Sequence, residues 1–182
     1  MTVTSKSTST DFKMAYDDSA NAVDRAFAIR SLVFDRIYEI EPLLVQLLKH
    51  KEEFLRGEAI NALIGRWHKA QYLGAALEML HSDTSHVVRR DSAFALGEFA
   101  TFADEAGKYK KQIIQSLIRA LVADDNWSVQ QRCYEQLLNL IAGKMFASEE
   151  FPQKNQEFDI KRDVDWKLLQ PYLEKYNLEK PN

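Results

Sequence analysis

Ser82-Asp83-Thr84-Ser85-His86-Val87-Val88-Arg89-Arg90-Asp91-Ser92-Ala93-Phe94-Ala95-Leu96-Gly97 is the stretch that decides the fold. It opens on a polar turn whose Asp83 and Ser85 are residue types that accept the unpaired backbone N–H groups of a helix start. An amphipathic helix follows, with Val88, Ser92, Ala95 and Leu96 on one face. Two other segments align with it without gaps: residues 55–63 and residues 129–137. Leu63, Leu96 and Leu137 stand 33 and 41 residues apart. The extra length of the second interval is assigned to the connection at residues 103–109, which contains Gly107.

Each of these helices is preceded by another. Leu44, Leu47 and Leu48 share one face, Leu73, Ala76, Leu77 and Leu80 another, and Ile114, Leu117, Ile118 and Leu121 a third. The turns inside the pairs are Lys51-Glu52-Glu53, residues 82–85, and Asp124-Asp125-Asn126. No proline occurs between Pro42 and Pro152, and no stretch alternates with period two. A helix pair recurring at this interval predicts an all-α chain, an α-solenoid (an α-α superhelix) of stacked antiparallel helix pairs. Ala59, Ser92 and Cys133 fall in one register, where a small side chain lets neighbouring helices approach. Cys133 therefore reads as a small buried residue, not a reactive thiol.

The quoted stretch resembles the HEAT repeat, in particular the short bacterial form of phycobilisome-lyase-like proteins. The resemblance rests on Asp83 in the turn, Val88-Arg89 opening the second helix, Ser92-Ala93 within it and Leu96-Gly97 near its end. In the unit before it Leu55-Arg56 and Ala62-Leu63 match, but the turn Asp is missing. In the unit after it Gln130 replaces the arginine. The likeness spans residues 41–144. It implies that Arg56 and Arg89 pair with turn aspartates between repeats, and that the second helices line a concave binding surface.

The flanks complete the expected organisation. Residues 1–18, Ser/Thr-rich at their start, read as a disordered N-terminal tail. The repeat domain spans residues 19–147, with residues 19–40 forming one helix of an incomplete first unit. Residues 148–163 read as a polar connection. One or two short helices around Pro171 then cap the end, or alternatively dock in the groove.

The 182 residues carry 46% hydrophobic and 28% charged side chains, enough apolar material for one ordinary domain. Six glycines and four prolines are too few for a turn-rich β architecture. A net charge of −3 gives no basic field for nucleic acid or an anionic membrane. The single cysteine excludes an internal disulfide, and no signal or spanning segment is visible, so the expected location is the cytoplasm.

Motifs for catalysis or phosphate binding are not found. His81, Asp83 and His86 share one turn, but their spacing matches no metal-ligand pattern, so no metal, cofactor or catalytic residue is assigned. Lys108-Tyr109-Lys110-Lys111 reads as a solvated basic turn. The second helices carry arginines interleaved with aromatics, the residue types enriched at binding hot spots. Arg66, Arg90, Phe94, Arg132 and Tyr134 are the expected partner contacts, whereas Trp127 reads as a packing residue. The leading expectation is a non-enzymatic module that binds another protein. The resemblance narrows it to a phycobilisome factor or bilin-lyase type, or to a toxin-immunity type. The alternative is a DNA-binding protein similar to HEAT-like alkylation-repair glycosylases, with Asp91 near the groove. The −3 charge and the scattered arginines argue against it.

Overall fold

The computed structural model describes residues 4–142 and 157–179. The helices are α1 (Thr4–Tyr16), α2 (Ala22–Phe34), α3 (Glu41–Leu47), α4 (Glu53–Ile60), α5 (Leu73–Ser82), α6 (His86–Phe102), α7 (Ala106–Ala123), α8 (Trp127–Ala142), α9 (Ile160–Asp163) and α10 (Trp166–Tyr176). The first eight pack as antiparallel pairs, α1 with α2 through α7 with α8. The second helices α2, α4, α6 and α8 also lie directly against one another. Successive first helices meet far less. The layer of second helices is therefore the tightly packed, inner side of the stack.

The small-residue register explains that close layer. Ala59, Ser92 and Cys133 are all fully buried, and Leu63, Leu96 and Leu137 fill the space beside them. Cys133 has its thiol pushed up by desolvation, as a packing residue should. The α4 helix continues into a π-helical turn over Asn61–Arg66. There Gly65 permits close approach: a Cβ at that position would lie 3.3 Å from the Ala95 Cα of α6. Ala59 and Leu63 face a core shared with α1, α2 and α3. Ile60 and Ile64 face the second core, which runs on through α10.

A bridge repeats between units. Arg56 donates to both carboxylate oxygens of Asp83, at 2.8 and 2.7 Å, and to the carbonyl of His50 at 2.8 Å. Arg89 donates in the same way to Asp124 at 2.6 and 3.0 Å and to the carbonyl of Asp83 at 3.0 Å. Each arginine thus holds its own turn and the turn of the next unit. Gln130 keeps the first of these bonds, to the Asp124 carbonyl at 2.8 Å. It stands in α8, the second helix of the last pair among the described residues.

Several boundaries differ from expectation. Thr4–Tyr16 within the expected tail is helix α1, so the first unit is a complete pair. Tertiary contacts outweigh its polar composition: buried Arg25 donates to the carbonyl of Ala15 near the end of α1 at 3.3 and 3.2 Å, and Ser31 donates to Asp11 at 2.7 Å. The extra residues of the 41-residue interval belong to a helix and not to the connection before it, because α7 has 18 residues against 10 in α5. Pro171 lies inside α10 and does not end it. Phe158, Val164, Leu169 and Leu173 join the core of the last pair, so this segment closes the end of the stack. Residues 1–3 of the expected tail and 148–156 of the expected connection lie outside the described residues.

Candidate functional site on the inner helix layer

The inner layer carries alternating guanidinium and aromatic groups. Phe27 and Phe34 stand seven residues apart on α2, outside its buried stripe of Ala26, Ile29 and Val33. They are 61% and 66% exposed. Arg30 lies 5.6 Å over the Phe27 ring, and Arg66 lies 5.3 Å over Phe34. Across α6 and α8 the pattern recurs, with Arg132 5.4 Å over Phe94. Such contacts contribute about 0.5–1 kcal/mol each at exposed sites, enough to set the direction of a side chain but not to hold a fold.

Most of these arginines also face a carboxylate. Arg30 of α2 meets Glu58 of α4 at 2.5 Å, Arg90 meets the adjacent Asp91 at 3.0 Å, and Arg132 meets Glu135 at 2.6 Å. The layer is therefore close to charge-balanced. Glu98, in the C-terminal half of α6, is half-buried. Desolvation holds its carboxyl above the ordinary value of 4.5, although Arg66, His68 and Arg132 act to lower it. A raised carboxyl favours the fold least when ionised, so stability falls as pH rises through and beyond that value. Glu98→Gln is expected to raise the melting temperature at pH 7, with the gain vanishing near pH 4. Melts of the two proteins at both pH values check this, and a lower melting temperature at pH 7 would contradict the burial argument.

The expected contact residues separate into two groups. Arg66, Arg90, Phe94 and Arg132 all lie on the inner layer. Tyr134 does not: it is 5% exposed, its hydroxyl accepts the Asp165 backbone N–H at 2.8 Å, and its ring lies 6.0 Å from Phe158. It anchors the closing segment, and its assignment as an exposed contact is corrected. Trp127 is corrected in the opposite sense, being 41% exposed at the first position of α8 while Val129 takes the buried place. Arg56 and Arg89 serve the bridges between turns. The reading of the sequence missed Phe27, Arg30, Phe34, Glu58 and Glu98. The two phenylalanines did leave a signal, as large aromatics off the apolar stripe of their helix.

The turns bearing Asp83 and Asp124 border a polar cleft of about 600 Å³ that includes His81, His86, Arg89 and Asp125. Its Asp83 and Asp124 carboxylates are committed to Arg56 and Arg89, and His81 Nε2 bonds the Ser116 hydroxyl at 2.6 Å. Among the described residues no group of three or more His, Cys, Asp or Glu is placed to hold a metal ion. Nor is any helix there long and apolar enough to cross a membrane.

The family model of HEAT repeats matches residues 12–97, from the last turns of α1 to Gly97 in α6. Together with the stacked pairs it defines the class: an all-α, HEAT-like solenoid. Neither the curated proteins nor the solved structures yield a match. The α7/α8 pair lies beyond the matched residues and is assigned to the solenoid by its packing.

Proposed function

We propose that this chain is a non-enzymatic interaction module of the cytoplasm that docks a partner protein on its inner helix layer. The observation that carries this reading is the pair Phe27 and Phe34, largely exposed on α2 and each covered on one face by an arginine. Burying a side chain of that size stabilises by about 1.5–3 kcal/mol, which a partner would recover on docking. Arginine and aromatic residues also dominate binding hot spots, and a stiff stack of repeats lowers the ordering cost of association. HEAT repeats commonly mediate protein–protein interaction.

The resemblance to short bacterial repeats suggests two partner types: a phycobilisome component, as a bilin-lyase-like factor would bind, or a toxin neutralised by an immunity protein. A coloured complex supports the first, and tight binding to a toxin supports the second. Arg30, Arg90 and Arg132 already face carboxylates, which counts against a phosphate-reading groove.

Affinity capture from the native organism tests the reading. The double variant Phe27→Ser, Phe34→Ser is expected to weaken partner binding by about thirtyfold or more, on the order of 2 kcal/mol, at an unchanged melting temperature. Arg119→Ala, on the exposed side of α7, should leave binding intact. Undiminished capture by the double variant would move the interface off this layer.

A further inference from the structure

Four side chains of α2 stand clear of the fold in one line. Val23, Phe27, Arg30 and Phe34 follow at intervals of four, three and four residues, which keeps them on one face of the helix. Val23, Phe27 and Phe34 are exposed, and so is half of the Arg30 side chain. Exposed Tyr38 extends the stripe past the end of α2. Its ring lies 4.9 Å from Trp67, whose indole N–H donates to the Val33 carbonyl at 3.4 Å. The row of second helices stops here: α6 lies between α4 and α8, whereas α2 has α4 on one side and, among the described residues, no second helix on the other.

Intervals of four, three and four read the same from either end. Two such stripes therefore interdigitate antiparallel about a two-fold axis, as the facing seams of paired helices do. In that pairing Phe34 meets Val23 of the second copy and Arg30 meets Phe27 of the second copy, alike on both sides of the axis. The Arg30 guanidinium already lies 5.6 Å over its own Phe27, so the second ring repeats a contact the chain makes by itself. Each Arg30 also brings its counter-charge, Glu58 of α4, so the two faces meet without net repulsion. The area suffices: at about 200 Å² for a whole aromatic side chain, the apolar members of the stripe leave roughly 400 Å² open per copy. A standard interface takes about 800 Å² from each partner, a little over half of it apolar. Resting on the inner-layer reading above, we propose that a second copy of this chain occupies the stripe, α2 against α2 in an antiparallel two-fold pair. The same side chains serve both interactions, so a partner protein docks by displacing the second copy.

Sedimentation velocity of the full chain, diluted through the micromolar range, tests the pairing. The expected result is a dimer that dissociates on dilution. Phe27→Ser and Phe34→Ser should each weaken it by about tenfold or more, while circular dichroism shows the fold retained. Phe102→Ser, at a comparably exposed phenylalanine that ends α6, should leave the dimer intact. A monomer at every concentration overturns the self-pairing. So does a dimer that withstands both α2 variants, or one that Phe102→Ser weakens as much. The docking layer is judged separately by the capture experiment above: a captured partner that is lost in the Phe27→Ser, Phe34→Ser variant keeps the layer even where the self-pairing falls.

Discussion

Arg89→Met is expected to destabilise the chain by about 3–5 kcal/mol, the range for removing one partner of a buried ion pair. The Arg89 and Asp124 side chains are only 13% and 6% exposed. Methionine preserves most of the apolar stem, so the loss isolates the guanidinium. Asp124 would keep its bond from the Asn126 N–H at 2.9 Å but lose both guanidinium contacts. The Asp83 carbonyl would lose its donor as well, loosening the neighbouring turn. Gln130→Met provides the comparison, since Gln130 makes a single bond within its own turn and should cost about 1 kcal/mol. Urea unfolding of both variants measures the difference. A loss at Arg89 no greater than at Gln130 would mean that the bridge does not couple the units.

Acid should weaken the same bridges. Burial disfavours the ionised Asp83, but its bonds to Arg56 and the Ser85 N–H outweigh that and hold its carboxyl below the ordinary 3.8. A lowered carboxyl contributes stability above its unfolded value. That stability is lost as pH falls through the folded one. The Asp83 contribution therefore persists at neutral pH and disappears below about pH 4. It runs opposite in sign to Glu98.

Phe99→Ala is expected to cost about 3–5 kcal/mol through lost burial and the cavity left behind. Phe99 is fully buried in α6, with the His68 ring 6.4 Å away and the Tyr109 ring of α7 5.9 Å away. It thus ties the end of the π-helical turn, the second helix of its own pair and the first helix of the next. Phe94→Ala, five residues earlier and half-buried under Arg132, should cost less in stability and more in partner binding. Thermal melts of the two variants give the ordering. If Phe94→Ala proves the more destabilising, the division of α6 into a core face and a docking face is wrong.

Helical periodicity, the turn residues and the register of Ala59, Ser92 and Cys133 made the stacked pairs legible before any coordinates. These are properties of each helix and its immediate neighbours in the chain, so they leave a local pattern. Arg66, Arg90, Phe94 and Arg132 were expected on the inner layer because the resemblance to HEAT repeats puts the second helices there. The bridging of Arg56 and Arg89 followed from the resemblance. Trp127 escaped because it stands exposed at the first position of α8, and Tyr134 because a contact from far along the chain decides its burial. For Tyr134 that contact comes from Asp165 and Phe158.

The sequence by itself thus determined the three central helix pairs and their recurrence, because each depends on residues within one or two turns or one repeat. Only the tertiary structure decided that residues 4–16 form a helix, that the chain after α4 winds as a π turn, and that Glu98 stands half-buried. Those outcomes depend on partners many residues away: the guanidinium of Arg25 on the Ala15 carbonyl, the backbone of Ala95 against Gly65, and the packing that desolvates the Glu98 carboxyl. A repeat's period records how units stack, but the desolvation of a side chain is a sum over everything that surrounds it.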